Sequence, residues 1–141
     1  MSNQLDYEEI SSNLEFLDDW EDRYRYLIEL GEKLPPMDES DKIDDNKVNG
    51  CVSQVWLSTR PRTENGVNHI HMSADSDAMI VKGLVAVLMA YYSGKPAEWI
   101  AKNNVGTLFD ELGLREHLTS QRANGLNAMI KKIRSRAREY I

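Results

Sequence analysis

The amino-acid sequence predicts an α+β fold in which a small antiparallel sheet packs against helices. Two stretches rich in strand-forming residues lie near the middle of the chain, separated by Asn65-Gly66, a dipeptide typical of two-residue hairpin turns. Helical patterns precede and follow this pair rather than alternating with single strands. Because a lone hairpin is only marginally stable, we expect a further strand beside it and a helix across its apolar face.

Two helices are predicted before the hairpin, a short one around Tyr7 to Asn13 and a longer one from about Asp19 to Lys33. Asp18 or Asp19 is placed to cap the longer helix, whose first turn is acidic. Apolar residues at helical spacing predict one buried face on it. These residues are Trp20, Tyr24, Leu27, Ile28 and Leu34.

An acidic segment and the two predicted strands follow Pro35-Pro36. Residues 38–45 combine five acidic side chains (Asp38, Glu39, Asp41, Asp44 and Asp45) with no apolar periodicity, which is typical of a solvated loop. The strands are predicted at Val52 to Arg60 and Val67 to Ala74. In the second, alternation places Ile70, Met72 and Ala74 on one face and His69, His71 and Ser73 on the other.

The nearly continuous apolar stretch from Ala78 to Tyr92 predicts a buried helix that covers the hairpin, with Asp75, Ser76 or Asp77 as its cap. It is shorter than a membrane span and contains Lys82 and Gly83. Further helices are predicted from Pro96, around residues 108–112, and from about Ser120. The last helix has an apolar stripe for the core and a basic opposite face. Its stripe is Leu126, Met129, Ile130, Ile133 and Ala137, and its basic face is Lys131, Lys132, Arg134, Arg136 and Arg138.

The length of 141 residues is typical of one domain, so we expect a single domain over residues 1–141. The net charge of −6 argues against nucleic-acid binding. Residues 1–50 carry 15 acidic and 5 basic side chains, whereas residues 114–141 carry 2 and 7. This asymmetry either orients a protein partner or reflects ordinary solvated helix faces. The first residues lack the pattern of a secretory signal, so we expect a cytoplasmic protein with no membrane partner.

Cys51 is the only cysteine, and it directly follows Gly50 between the acidic loop and an apolar strand. A lone cysteine forms neither an intramolecular disulfide nor a cysteine-rich metal cage. If functional, it is a nucleophile, the acceptor of a transferred group, a redox sensor or a single metal ligand. The alternative is an inert cysteine of the core, since free cysteine is often buried.

Several classes of site lack their motifs. The sequence contains no phosphate-binding loop, dinucleotide fingerprint, zinc-peptidase motif or C-x-x-C pair. His69 and His71 are better explained as exposed strand residues than as half of a metal site. A dyad of Cys51 with His117 has no motif behind it. We therefore predict neither a metal nor a cofactor.

The run N-G-C-V-S-Q-V-W from Asn49 to Trp56 resembles the signature around the acceptor cysteine of the SufE family, the sulfur-accepting partners of cysteine desulfurases. Three other blocks are similar to that family in the same order, and the resemblance extends from about Leu14 to Arg138. The blocks are Leu34-Pro35-Pro36, Asp75 to Ala78 leading into Ile80 to Leu84, and Leu118 to Arg122 followed by Gly125-Leu126 and Ala128 to Ile130.

The resemblance implies a SufE-like fold and a carrier of sulfur rather than a conventional enzyme. Cys51 would accept persulfide sulfur from a cysteine desulfurase dependent on pyridoxal phosphate (SufS-like), stimulate its turnover, and pass the sulfur to an Fe-S scaffold complex (SufBCD-like). A single thiol suits this task, because a second one nearby would release the sulfur by forming a disulfide. The glycine before it, Gly50, would remove bulk and free the backbone to enter a partner's cleft.

The resemblance also assigns supporting or partner-binding roles to residues around Cys51. Arg122 would favour the thiolate or pair with a partner carboxylate, unless it only serves the helix start. Asp77 would lie near the desulfurase-facing surface as well as capping a helix. Gln54 would hydrogen-bond the Cys51 loop, and Trp56 is expected in the core.

Three other functions remain open at this point. The chain would be an allosteric activator of the desulfurase if Cys51 were incidental. It would be an Fe-S scaffold if other residues or a second chain completed the ligands that one cysteine cannot supply. It would be a thiol redox sensor if Cys51 reacted faster with peroxide than with a persulfide donor.

Overall fold

The computed structural model describes residues 6–49, 53–103, 108–114 and 119–141. These residues form a three-stranded antiparallel sheet with helices before and after it in the sequence. The predicted α+β class is confirmed.

Two helices, α1 (Tyr7–Phe16) and α2 (Trp20–Glu32), precede the sheet. Each follows an aspartate whose carboxylate accepts a hydrogen bond from the backbone N–H two residues later, Asp6 for α1 and Asp19 for α2. The cap predicted at Asp19 is confirmed. Helix α1 continues three residues beyond the predicted end, because Leu14 still points into the core.

The hairpin consists of β1 (Val55–Glu64) and β2 (Val67–Ser76), paired in register over their whole length. Asn65 and Gly66 join them with φ angles of 53° and 79°. A two-residue turn with both φ angles positive matches the right-handed twist of the strands, as the dipeptide predicted. Strand β1 continues past Arg60, where the predicted strand ended.

The further strand that the hairpin needs is β3 (Lys95–Pro96), which pairs with His69 and Ile70 of β2. Gly94 precedes it with a φ of 83°, and its N–H donates to the Ile70 carbonyl at 2.7 Å. This left-handed conformation favours glycine and turns the chain from the end of the preceding helix into the sheet.

Helix α3 (Met79–Tyr92) covers the apolar face of the sheet and is buried along most of its length. Its N-cap is Ala78, with no side-chain cap. The predicted cap from Asp75, Ser76 or Asp77 is therefore wrong. The Ser76 hydroxyl does accept a hydrogen bond from the Ala78 N–H at 3.3 Å. The carboxylates of Asp75 and Asp77 contact other residues instead, Lys42 and Gln54 respectively.

Helices α2 and α3 pack closely because glycines face each other where they cross. A Cβ built on Gly83 would lie 2.1 Å from the Leu27 carbonyl oxygen, and one on Gly31 would lie 2.9 Å from the Gly83 nitrogen. Both distances are too short for real atoms. The two helix backbones are therefore in contact at this crossing.

The remaining helices are α4 (Ala97–Lys102), α5 (Leu108–Glu111) and α6 (Ser120–Arg138). Thr119 caps α6 by accepting a hydrogen bond from the Arg122 N–H at 3.2 Å. The apolar stripe predicted for α6 is confirmed, since every residue of it is buried: Leu126, Met129, Ile130, Ile133 and Ala137.

One connected hydrophobic cluster runs from Ile10 to Ala137 and draws on helices and strands along the chain. The prediction for Trp20 is wrong, because its side chain is 47% exposed at the start of α2, whereas Leu27 and Leu34 are buried as predicted. Among the described residues, no helix has the length and apolar character needed to cross a membrane.

Candidate functional site

Cys51, Gly50 and Val52 lie outside the described residues, and the structure describes the chain on both sides of them. We call residues 49–54 the Cys51 loop. At its ends, Asn49 and Gln54 are exposed, and Ser53 is half-buried.

The two ends of the Cys51 loop are held together by backbone pairing. The Val48 N–H donates to the Val55 carbonyl at 2.8 Å, and Lys47 forms an antiparallel bridge with Trp56. The segment before the loop is thereby tied to the first residues of β1. The loop base is therefore joined to the sheet through β1.

Asp77 holds the same base from the side of α3. Its carboxylate accepts a hydrogen bond from the Gln54 N–H at 3.0 Å, and its own N–H donates to the Gln54 carbonyl at 3.2 Å. A reciprocal pair of this kind satisfies backbone groups that would otherwise need water. Both contacts with Asp77 are made by the Gln54 backbone, and the hydrogen bond predicted from Gln54 to the Cys51 loop stays a prediction.

A cavity of about 270 Å³ lies next to the Cys51 loop. Ser53 and Val55 form one wall, α3 a second, and the first half of α6 a third. Most of its other lining residues are apolar: Ala78, Ile80, Val81, Leu84, Val85, Leu126 and Met129.

Arg122 lines this cavity with its neighbours Thr119 and Gln121 at the start of α6. Its side chain is half-buried, and its backbone N–H is the one that Thr119 caps. Ser53, two residues from Cys51, lines the same cavity. The role predicted for Arg122 beside the thiol stays a prediction, because Cys51 lies outside the described residues, whereas Asp77 holds the loop through Gln54.

A partly buried ionic group lies beside the loop base. Asp75, only 16% exposed, contacts Lys42 at 2.9 Å and Lys82 at 3.3 Å, and the Lys42 ammonium lies 5.3 Å from the centre of the Trp56 ring. Burial alone would raise the pKa of Asp75, but the Lys42 and Ser76 hydrogen bonds and the Lys82 charge outweigh it and lower that pKa. Hydrogen bonds to Asp75 and Glu39 raise the pKa of Lys42.

Two cations of α6 bind the segment that leads into the loop. Lys132 donates to the Asp45 and Lys47 carbonyls at 3.0 and 3.3 Å, and Arg136 donates to the Asp45 carbonyl at 2.8 Å and to the Asn46 side chain at 3.1 Å. We call Lys132 and Arg136 the α6 clamp. Burial first, and then the charge of Arg136, lower the pKa of Lys132.

The acidic segment is more firmly held than its sequence predicted. It contains two short 3-10 turns, Glu39–Asp41 and Asp44–Asn46, and Asn46 is buried with its amide donating to the Asp41 carbonyl at 2.8 Å. Sequence reasoning missed Asn46 and the α6 clamp. No local signal marks them, because Lys132 and Lys47 lie 85 positions apart.

The two strand histidines are involved in local contacts. His69 Nδ1 lies 3.0 Å from the Gly94 carbonyl oxygen, and His71 Nε2 lies 4.0 Å from a Glu64 carboxylate oxygen. Within the described part of the chain, no group of three or more His, Cys, Asp or Glu side chains is arranged to hold a metal ion.

Comparison with known proteins supports one family. Residues 8–137 match the family model of SufE, described as an Fe-S metabolism associated domain. An uncharacterized SufE-like protein of Rhizobium etli is 50% identical over 131 residues, which is 93% of this chain and 88% of that protein. One from Rhizobium meliloti strain 1021 is 48% identical over 130 residues, 92% of this chain and 93% of that protein.

Among solved structures, the solution structure of a hypothetical protein from Thermus thermophilus matches with a TM-score of 0.73 over 95% of this chain and 94% of that one. At 20% sequence identity, this likeness concerns the fold alone. The family model spans nearly all of the described structure, from α1 to α6. The chain belongs to the SufE family, which is associated with Fe-S metabolism.

Proposed function

We propose that this protein is a sulfur carrier that accepts persulfide sulfur on Cys51 from a cysteine desulfurase dependent on pyridoxal phosphate. It stimulates the turnover of that enzyme by removing its product and passes the sulfur to an Fe-S cluster assembly scaffold. A reducing compartment such as the cytoplasm would keep the thiol available for this chemistry.

The transfer balances without an oxidant or a reductant. The Cys51 thiolate attacks the terminal sulfur of the desulfurase persulfide, a new S–S bond forms at Cys51, and the S–S bond on the desulfurase breaks. The desulfurase cysteine leaves as a thiolate. A second exchange of the same type hands the sulfur to the scaffold.

The observation that carries the proposal is the frame around the Cys51 loop. Both ends of the loop are fixed by Val48, Val55 and Asp77, and a cavity with mostly apolar walls lies against Ser53. A persulfide is vulnerable to other thiols and to oxidants, so a carrier benefits from a sheltered resting place. We propose that Cys51 rests in this cavity and moves out when the desulfurase docks.

The supporting residues have distinct roles in this proposal. Arg122, in the wall of the cavity, would stabilise the thiolate and so raise the fraction of reactive sulfur. Asp77 would keep the loop base in place through the Gln54 backbone while the tip moves. Gly50 would give the backbone the freedom that this movement needs.

The decisive experiment mixes the protein with a purified cysteine desulfurase, pyridoxal phosphate and cysteine, and reads the intact mass without reductant. We expect the mass of one or more sulfur atoms on Cys51 and none on Cys51→Ser, which should fold like the wild type. Normal sulfur uptake by the Cys51→Ser variant would contradict the proposal.

The same samples test the non-covalent alternative. If Cys51→Ala enhanced sulfide release from cysteine as the wild type does, the protein would be an allosteric activator and the cysteine would be incidental. We expect the variant to lose this enhancement, because without the Cys51 thiol the persulfide stays on the desulfurase.

A further inference from the structure

The α6 clamp holds the chain just before it enters the Cys51 loop. Lys132 donates to the carbonyls of Asp45 and Lys47 at 3.0 and 3.3 Å, and Arg136 donates to the Asp45 carbonyl at 2.8 Å. Two cations of one helix therefore share a single carbonyl oxygen. Lys47 lies two positions before the first residue of the loop, so the clamp fixes the backbone next to it.

Arg136 binds backbone and side-chain oxygens that are neutral, with little help from a carboxylate. An Asp45 carboxylate oxygen lies 4.0 Å from its guanidinium group, but that Asp45 side chain is 91% exposed. The closer contacts are the Asp45 carbonyl at 2.8 Å, the Asn46 amide oxygen at 3.1 Å and the Thr59 hydroxyl at 3.5 Å. A cation bonded to carbonyls fixes the course of the backbone, whereas an exposed ion pair orders only flexible side chains.

The two ends of the Cys51 loop are held by different parts of the molecule. After the loop, the Gln54 backbone bonds to Asp77 in both directions and continues into β1. Before the loop, the Val48 N–H donates to the Val55 carbonyl, and the chain preceding it is the 3-10 turn Asp44–Asn46. Such a turn has poor hydrogen-bond geometry of its own, so this end of the loop depends on the α6 clamp for its position.

We propose that Lys132 and Arg136 are positioning residues for sulfur transfer, which fix the first end of the Cys51 loop so that its thiol meets the donor persulfide productively. This inference rests on the proposed function, in which the Cys51 thiolate attacks the terminal sulfur and the desulfurase cysteine leaves as a thiolate. Neither cation needs to touch the sulfur. A displacement of about 1 Å at a reacting atom can cost roughly a hundredfold in rate, so a loosened loop end slows the transfer.

Single-turnover transfer tests the proposal. A cysteine desulfurase carrying its persulfide, freed of excess cysteine, is mixed with increasing concentrations of this protein, and the sulfur on Cys51 is followed by intact mass in quenched samples. Lys132→Met with Arg136→Met keeps unbranched side chains but removes every donor of the clamp. We expect the maximal rate to fall about tenfold and the half-saturating concentration to change less than about twofold.

Matched variants separate the position of the loop from the charge of the helix. Lys131→Met with Arg138→Met removes the same two charges from exposed positions of α6 and should transfer sulfur like the wild type. Lys132→Arg keeps a cationic donor and should retain most of the maximal rate. Urea denaturation shows whether each variant is folded in the assay. If the clamp double variant unfolds, Lys132→Met alone serves, since Arg136 keeps its own hydrogen bonds.

The proposal is overturned if the folded clamp variant reaches the maximal rate of the wild type. It is also overturned if only the half-saturating concentration rises, since the two cations would then act by contacting the partner directly. An equal loss of rate in the Lys131 and Arg138 control would attribute the effect to net charge and contradict the proposal as well. Wild-type protein that takes up no sulfur would overturn the proposed function itself, and this inference with it.

Discussion

Gly83 shows how one residue sets the distance between two helices. An added Cβ would meet the Leu27 carbonyl at 2.1 Å, and backbone atoms in packed helices cannot move aside cheaply. We expect Gly83→Ala to lower the free energy of unfolding by about 3 kcal/mol, as overpacking does in a tight core. Urea denaturation measures the change. Gly66→Ala is the matched control, since a Cβ there meets nothing within 4 Å and only its positive φ costs about 1 kcal/mol.

The contribution of Asp75 to the free energy of unfolding depends on pH. Its pKa in the folded protein lies below the unfolded value of about 3.9, so its stabilisation is present in full above about pH 4 and is lost as the pH falls through the folded pKa. We expect Asp75→Asn to cost about 1 kcal/mol at pH 7, since the ion pairs keep some contact with solvent. The difference from wild type should shrink in acid.

Measuring the free energy of unfolding from pH 7 down to pH 3 for both proteins tests this expectation. Asp44→Asn, at an exposed aspartate of the acidic segment of residues 38–45, serves as the reference variant. A difference between wild type and Asp75→Asn that stayed constant down to pH 3 would show that the carboxylate charge is not what stabilises the loop base.

Residues with local roles could be predicted from the sequence, and those with distant partners could not. Asp19 was predictable because a cap bonds to the backbone two residues later. Asp77 was assigned the same role, yet its carboxylate bonds to Gln54, 23 positions earlier. Helical spacing predicted the buried Leu27 but placed Trp20 on the same face, because periodicity does not say where the neighbouring elements end.

At the scale of elements, the α6 clamp joins the last helix to the segment before Cys51. Removing Lys132 takes away the donor of the Lys47 carbonyl and leaves the Asp45 carbonyl with Arg136, and a hydrogen bond of this kind at a partly exposed site contributes about 1 kcal/mol. We therefore expect Lys132→Ala to speed hydrogen exchange at residues 45–49 about fivefold. Lys131→Ala removes an exposed lysine next to it and should leave these rates unchanged.

The Cys51 loop and its base are expected to respond differently to the desulfurase. If the loop tip leaves its resting place on docking, amide exchange at residues 49–53 should rise when the partner is added. Exchange at the Val48 N–H should stay slow, since it donates to the Val55 carbonyl at the loop base. Unchanged protection of residues 49–53 would argue for a loop that reacts without moving.

The elements themselves were largely predictable, because each depends on short-range patterns. The Asn65-Gly66 turn, the alternation in β2 and the stripe of α6 all repeat within a few residues. The acidic segment was harder. Its composition indicated a solvated loop, whereas its two short turns depend on Lys42, Asn46 and the distant α6 clamp.

At the scale of the whole molecule, the separation of acidic and basic residues serves partly to hold the chain together. Three cations from the basic end donate to backbone carbonyls, Lys132 and Arg136 near Asp45 and Arg134 at Ala101 with a distance of 2.8 Å. The polarity in the sequence therefore overstates the basic charge offered to partners. Five carboxylates near the start of the chain, in contrast, are exposed: Glu15, Asp18, Asp19, Glu21 and Asp22.

Helix α6 is also a spacer of fixed length. Arg122 in the cavity wall and Lys132 in the clamp are ten residues apart, which is roughly 15 Å along a helix. Inserting or deleting one residue between them would rotate Lys132 by about 100° away from the carbonyls it binds. The side chains at exposed positions such as Asn127 and Lys131 can be substituted. The number of residues between Arg122 and Lys132 is fixed, because a change would separate the residue in the cavity wall from the lysine that binds the segment before Cys51.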